Sequence, residues 1–372
     1  KENTFNLPDF MFGKAGRWEQ MMKNPPLISV IMSVYNEKEF IKQSIESILN
    51  QTEQSFEFII YDDHSNDGTT ELIQKIALKD DRIRLFEMES NRGLTVNLNS
   101  ALAQTRGKYI ARMDGDDICH PKRFEKQIRF LDMNPEIMLC SCTMLTIGET
   151  KPLFIHSYTQ SEKIKCFLLL NPALPHPGFM FRAELYWKYG FQYDETFRQS
   201  QDYDFMTRVA HHYKLGNLKD TLIKYRMHAK SVTLSESGGQ RKHADRVRLE
   251  LLKELGVHLS GEEWNVYRKL SVKEQVDTDE EYRKAFDIIE HIIDSNKEAR
   301  VYQQDALRET LIRFAAHWML RNERLRSVRL ILDFRIQYLY LFFKELAVSL
   351  WWQRVKTKIV MRNSFWRKDG EL

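Results

Sequence analysis

The chain has 372 residues, 42% apolar and 29% charged, which places it among globular proteins and outside the low-hydrophobicity, high-charge regime of disorder. Its net charge is +4, but residues 321–372 carry 12 Lys/Arg against 5 Asp/Glu, whereas the rest carries 44 against 47. A basic end on a near-neutral body points to an anionic surface, membrane or nucleic acid, and the length predicts two domains.

Residues 1–26 hold no apolar core of a secretory signal, and the chain opens on Lys1 rather than Met, which suggests a trimmed chain or fragment. From Leu27 the pattern turns regular. The β-branched run LISVIMSVY predicts a strand, and in the NEKEFIKQSIESILNQ that follows, Phe40, Ile41, Ile45, Ile48 and Leu49 recur at helical spacing. The unit repeats as FEFIIYDD with DGTTELIQKIAL and as IRLFEM with GLTVNLNSALAQ, and ends on the strand KYIARMD. Alternating strands and helices predict βαβ units, hence a parallel sheet with helices packed on it.

Cys119, Cys140, Cys142 and Cys166 form no C-x-x-C pair, and Cys140 and Cys142 alternate within a hydrophobic run. They read as small buried hydrophobes in a reduced, cytosolic setting. After about residue 236, helical periodicities such as DIIEHIID and ALRETLIRFAAHWML take over, and Ser260 to Glu263 and Thr278 to Glu281 read as capping boxes. The paired glycines Gly238 and Gly239 predict a linker. The expected organisation is an extension over 1–26, an α/β domain over 27–235 and a helical domain over 236–372.

No apolar run reaches the ~20 residues of a membrane span. In LILDFRIQYLYLFFKELAVSLWWQRVKTKIV, Ile331, Phe334, Tyr338, Leu341, Phe342, Val348 and Trp352 share roughly one face, with Arg354, Lys356 and Lys358 just beyond. Two readings stand: a helix lying in the membrane interface, which Trp351, Trp352 and the lysines favour, and a face packed on its own domain. No nucleic-acid motif accompanies the basic tail.

Ligands of such sheets sit beyond the carboxyl ends of the strands. There the sequence is polar: Tyr35-Asn36-Glu37, Asp62-Asp63, Asn91-Arg92-Gly93 and Asp114-Gly115-Asp116-Asp117 follow strands one to four. One such residue is ordinarily a helix N-cap, but four clusters at one edge predict a site. Crowded carboxylates repel and raise one another's pKa, and a hard divalent cation, Mg²⁺ or Mn²⁺, removes the conflict while binding substrate phosphates. The competing reading makes Asp116 or Asp117 the cap of a helix starting near Pro121.

Farther on, in FRQSQDYDFMTRVAHH, Asp202 shares a helix face with Phe205, Met206 and Val209. A carboxylate among core residues costs desolvation energy unless partnered or used, and its raised pKa suits a general base. Asp204, with Arg208 at i+4, reads as a surface ion pair. His228, in YRMHAKSVT, either completes a metal shell begun by Asp116 or is structural, and spacing alone favours the structural role.

The ordered series ISVIMSVYNE, FEFIIYDDHSNDGT, NRGLTVNLNSAL, GKYIARMDGDDICHPKRF, HPGFMFR, QDYDFMTR and YRMHAKS, from about Leu27 to Thr233, resembles the family 2 glycosyltransferases of the GT-A fold. The resemblance implies an α/β, Rossmann-like nucleotide-diphospho-sugar transferase domain followed by a C-terminal α-helical domain, of the kind found in bacterial members that build surface polysaccharides. It implies inverting transfer of a sugar from a nucleotide-diphosphate donor to a hydroxyl of a glycan or lipid-linked acceptor, at the cytoplasmic membrane face. By position, Tyr35 and Asp63 would hold the nucleobase with Asn91 close by, Glu37 would lie near the ribose, Asp114 would contact the nucleotide, and Asp116 would bind the metal, with His228 as a further ligand. Asp202 would be the base, and His176 would lie on the acceptor side. UDP is favoured because Asp63 suits a uracil N–H, which thymine also presents.

Two departures stand out. Leu98-Asn99 replaces the family's common Arg-Asn, so the diphosphate contact passes to Arg92 or Arg112; and Gln201-Asp202 replaces a common Glu-Asp, which alters the acceptor surroundings. A phosphatase of the haloacid dehalogenase type also ends a strand in Asp-x-Asp, but on an early strand, and a non-enzymatic sugar-nucleotide sensor or scaffold needs no base at Asp202. No G-x-G-x-x-G or P-loop follows the first strand. The sequence indicates neither the sugar, the linkage nor the oligomeric state.

Overall fold

The structure, a computed structural model, describes residues 25–148, 152–155, 157–228, 238–275 and 278–321. Most of the N-terminal extension and the whole amphipathic basic stretch after residue 330 lie outside the described residues. The chain divides into two compact units, Lys1–Leu249 and Glu250–Leu372.

The first unit begins as its sequence predicts. Strands β1 (Ile28–Val34), β2 (Phe56–Asp62), β3 (Ile83–Glu87) and β4 (Tyr109–Asp114) alternate with helices α1 (Ile41–Leu49), α2 (Thr69–Ala77) and α3 (Leu94–Leu102). They pair in parallel in the order β3-β2-β1-β4. β2 is buried along its whole length, as expected for a strand covered on both faces. Ile41, Ile45 and Ile48 of α1 are fully buried, each stabilising the fold by roughly 1.5–3 kcal/mol. The register sets Val34 against Asp62, Asp62 against Glu87 and Ser33 against Asp114, so the carboxyl ends of all four strands share one edge.

At the opposite end of these strands Glu57, 3% exposed, accepts from Ser29 Oγ at 2.7 Å and pairs with Arg84 and Arg106 at 2.8 Å each. A buried carboxylate is tolerable there because its oxygens are so fully engaged.

Beyond β4 the sheet changes sense. β5 (Ile118–Cys119), β6 (Ile137–Gly148), β7 (Phe154–Ile155), β8 (Met180–Arg182) and β9 (Lys214–Met227) complete a nine-stranded sheet of order β3-β2-β1-β4-β8-β6-β9-β5, with β7 on β6. β8 runs antiparallel to β4 and β6, β9 parallel to β6, and β5 antiparallel to β9. The expected parallel sheet is thus the first half, β3-β2-β1-β4, of a larger mixed sheet. The β5–β9 pair, with Ile118 opposite Lys224, brings the end of β9 to the turn that follows β4. Helices α4 (Arg123–Met133), α5 (Ser161–Phe167), α6 (Glu184–Trp187) and α7 (Gln201–His212) connect these strands, and α8 (Gly238–Glu254) closes the unit.

The linker expected around Ser237 to Gly239 falls partly outside the described residues; Gly238 and Gly239 themselves lie in the first turn of α8, and the division between units falls inside that helix. All four cysteines are free and buried, and burial pushes the Cys142 thiol up to about 12.

In the second unit α9 (Gly261–Val272), α10 (Asp279–Ala299) and α11 (Gln304–Arg321) pack together. Ser260 and Glu263 form both halves of a capping box, and Thr278 Oγ1 accepts from Glu281 N at 3.2 Å. Trp318, 1% exposed, donates from Nε1 to Glu274 O at 2.7 Å. No helix among the described residues is long and apolar enough to cross a membrane.

Candidate active site

The acidic turn after β4 is built by close approach. A β-carbon on Gly115 would lie 2.8 Å from Val34 Cγ1, so the chain passes β1 where no side chain fits. Asp114 is ion-paired with Arg112, which is 3% exposed. Asp116 Oδ2 lies 3.0 Å from His228 Nε2. Asp117, fully buried, accepts the Arg226 N–H on Oδ1 at 2.8 Å, while its Oδ2 has no partner. Neither Asp116 nor Asp117 caps α4: that helix starts at Arg123 with no side-chain cap, and the Lys122 N–H goes to His120 Nδ1 at 3.0 Å. Instead Asp117 ties the turn to β9.

Arg226 reinforces the tie, donating from Nε to Asp116 O at 2.8 Å and lying 4.6 Å from the centroid of Phe40, whose ring is 5.0 Å from His228. His228 thus stands among side chains that fix its ring beside Asp116.

Glu37 joins this cluster, which the sequence reading had placed near the ribose. Ligand atoms of Glu37, Asp116 and His228 all lie within 4.8 Å of one another, as do those of Asp114, Asp116 and Asp117. The turn that delivers Glu37 is held by Asn36, whose φ of 57° is left-handed, whose N–H donates to Ser65 Oγ and whose Oδ1 accepts from Asn66 N, each at 2.9 Å; the Glu37 N–H donates to Thr69 Oγ1 at 2.9 Å. Two carboxylates and an imidazole form an oxygen and nitrogen donor set, which suits Mn²⁺ better than Mg²⁺, whose preferred shell is all oxygen.

At the other end of the same edge Asp63, 3% exposed, accepts from Arg92 N at 2.7 Å and Gly93 N at 2.9 Å, and its own N–H donates to Val34 O at 2.9 Å. It organises the loop after β3, and Tyr35, which follows the Val34 it bonds, is 47% exposed. Asn91 and the Arg92 side chain are exposed at this rim.

The base end comes from α7. Phe205, Met206 and Val209 are fully buried, and Asp202 on the same face is partly buried. Asp204 pairs with Arg208 at 2.6 Å, as its spacing predicts. Gln201 is buried. His176, also buried, lies in a short 3-10 turn with its Nε2 2.9 Å from Tyr193 Oη. Asn99, where the family commonly continues from an arginine, holds Tyr193 in both directions, accepting its N–H and donating to its O at 2.9 Å each. The Arg112 guanidinium, a candidate for the diphosphate contact, is buried and paired with Asp114.

These groups feel one another's charge. Burial pushes Asp114 up to about 6, and the charges of Asp116 and Asp202 add to that against the pull of Arg112. Burial raises Asp202, opposed by the Tyr203 N–H and Arg112. Burial and then the Asp116 and Asp114 charges carry Asp117 well above the ordinary carboxylate range. Burial, with Arg112 nearby, depresses His176, which keeps it neutral.

A mixed sheet whose parallel half ends in an acidic turn, with a separate carboxylate on a crossing helix, is the architecture of a GT-A nucleotide-sugar transferase. A family model described as Glycosyl transferase family 2 matches residues 29–190. An uncharacterised glycosyltransferase of Methanocaldococcus jannaschii is 37% identical over 225 residues, 59% of this chain and 77% of that protein. The O-antigen biosynthesis glycosyltransferase WbnJ of Escherichia coli is 33% identical over 217 residues, 56% of this chain and 83% of that protein. Among solved structures, S. aureus TarS 1-349 in complex with UDP-GlcNAc has a TM-score of 0.53 at 17% identity, covering 76% of this chain and 90% of that one, which is a likeness of fold. The chain belongs to the family 2 glycosyltransferases. That membership sets aside the dehalogenase-type phosphatase.

Proposed function

We propose that this chain catalyses inverting, metal-dependent transfer of a sugar from a nucleoside-diphosphate sugar, UDP-linked in the first instance, to a hydroxyl of a glycan or lipid-linked acceptor during surface polysaccharide assembly. The relatives named for O-antigen and teichuronic acid biosynthesis support the assembly role, and the UDP-GlcNAc complex of the TarS neighbour supports the donor. The observation that carries the chemistry is Asp202, a partly buried carboxylate of raised pKa that shares Arg112 with the acidic turn.

In this reading Asp63, already oriented by two backbone amides, accepts the N–H of the nucleobase beside Tyr35, with Asn91 and Arg92 at the rim. Asp114 contacts the nucleotide, and Asp116, His228 and Glu37 hold the cation. A divalent cation bound there would neutralise charge on the departing diphosphate. Asp202 takes the proton of the acceptor hydroxyl as it attacks, and a raised pKa brings the base nearer to working pH. His176 and Gln201 line the acceptor side, His176 as a neutral ring. The basic, aromatic stretch after residue 330 supports peripheral attachment to the cytoplasmic face of the membrane.

A thermal-shift screen of nucleotide sugars with and without Mn²⁺ tests the donor assignment, because a ligand that binds the folded state raises its stability. A shift with a UDP-sugar only when Mn²⁺ is present is expected; no shift with any nucleotide sugar would overturn it.

A further inference from the structure

The loop leading into the base is held from outside the family's matched region. α7 begins directly after Ser200, whose φ of 57° is left-handed for a non-glycine residue and whose side chain makes no cap bond to its own helix. A residue in that conformation persists only where its surroundings over-determine it.

The surroundings are the first turns of α8. Ser200 Oγ donates to Gln240 O at 3.2 Å. His243 Nδ1 lies 2.9 Å from Gln199 O and 3.3 Å from Gln199 N, so its shorter contact is the one a protonated Nδ1 makes by donating to the carbonyl. The His243 ring meets Phe197 edge-on at 5.5 Å, and the Arg246 guanidinium lies 4.5 Å from the Phe197 centroid and 3.0 Å from Thr196 Oγ1. Residues 240–246 of the helix thus grip 196–200, the residues just before Gln201 and Asp202.

The helix is itself anchored. Arg248, 3% exposed, donates from Nε to Leu170 O at 2.7 Å, pairs with Asp245 at 2.8 Å and lies 5.9 Å from the ring of Tyr203, the residue after Asp202. On the other side of the loop, Thr95 Oγ1 donates to Phe197 O at 2.8 Å. The grip has a rigid base at both ends.

We propose that His243 is a positioning residue for the general base: its bond to Gln199 fixes the left-handed turn at Ser200 and thereby the angle at which Asp202 meets the acceptor. The proposal rests on the reading of Asp202 as the base. It extends the functional domain past residue 235 to the start of α8, because loss of this contact frees the turn while leaving the nucleotide end, built from β1 to β4, in place. Small misplacements of a catalytic group lower the rate far more than they alter binding.

The test compares His243→Ala, His243→Asn and Asp202→Asn. It follows UDP release from the UDP-sugar that gives the largest thermal shift, with Mn²⁺ present and water as the acceptor. His243→Ala is expected to lower kcat at least tenfold with the donor KM and the UDP thermal shift within twofold of wild type, and His243→Asn, whose amide can donate where Nδ1 does, to restore most of the rate. If Asp202→Asn is inactive while His243→Ala turns over normally, the positioning role is overturned and the base stands. A failure of His243→Asn to recover any rate, or a parallel loss of UDP binding in His243→Ala, likewise overturns it. If Asp202→Asn is active, the base assignment is overturned, and the positioning role with it.

Discussion

His228 Nε2 and Asp116 Oδ2 lie 3.0 Å apart across 112 residues of sequence. The contact exists because β9 pairs with β5 beside the acidic turn, and because Arg226 binds both Asp116 O and the Phe40 ring next to His228. If His228 is a ligand, as proposed, its removal takes away that ligand while Arg226 still ties the turn to β9. His228→Ala is expected to weaken Mn²⁺-dependent UDP binding by about 10–100-fold, measured by calorimetry, with metal-free folding little changed. Unaltered affinity would remove His228 from the cation shell.

Glu37 makes the same claim from the other side of the site. Glu37→Gln keeps the size and the Glu37 N–H bond to Thr69 but removes one charge from the cluster. Its effect should appear as a higher Mn²⁺ concentration for half-maximal UDP binding. An effect on UDP affinity that is independent of Mn²⁺ would return Glu37 to the ribose.

Asp114 links the site to stability. Its carboxyl is raised to about 6 by burial, so the folded protein holds a proton that the unfolded chain has released by about pH 4. The stability this provides is complete below pH 4 and lost as pH rises through about 6. Asp114→Asn has no such proton, so its melting temperature without ligand should match wild type near pH 4 and exceed it increasingly towards pH 6.5. A constant difference across that range would contradict the raised value.

Asp117 offers a second case in which function and stability diverge. Its buried Oδ2 has no partner and it faces two other acids. Asp117→Asn keeps an acceptor for the Arg226 N–H and removes a buried acid, so it should stabilise the metal-free protein by ~1 kcal/mol, a rise of about 2–4 °C. A fall of that size would mean that the carboxylate is needed by the turn itself.

The sequence made the parallel half of the sheet legible because β1, β2 and β4 are buried runs whose apolar residues leave little choice, and each ends in polar residues at a common edge. Helical spacing alone placed Asp202 on the face of Phe205, Met206 and Val209, where the structure has it. The antiparallel half was not legible: the three residues of β8 and the two of β5 are too short to leave a pattern, and their place depends on partners far along the chain. The nearness of Glu37 to Asp116 and His228 was not legible for a related reason, since its direction is set by the left-handed turn at Asn36 and by Ser65, Asn66 and Thr69 of the next unit. Gly238 and Gly239 look like a break, yet α8 is held by Arg248 and by its grip on 196–200, and tertiary contacts outweigh weak local propensity.

The central claim is that Asp202 is the base of a nucleotide-sugar transferase, and the turnover of Asp202→Asn tests it most directly. The account predicts a loss of about 10²–10⁴-fold in kcat with Mn²⁺-dependent UDP binding intact, against a wild-type rate that falls as pH drops through the raised pKa of Asp202. Near-normal turnover by Asp202→Asn would contradict it.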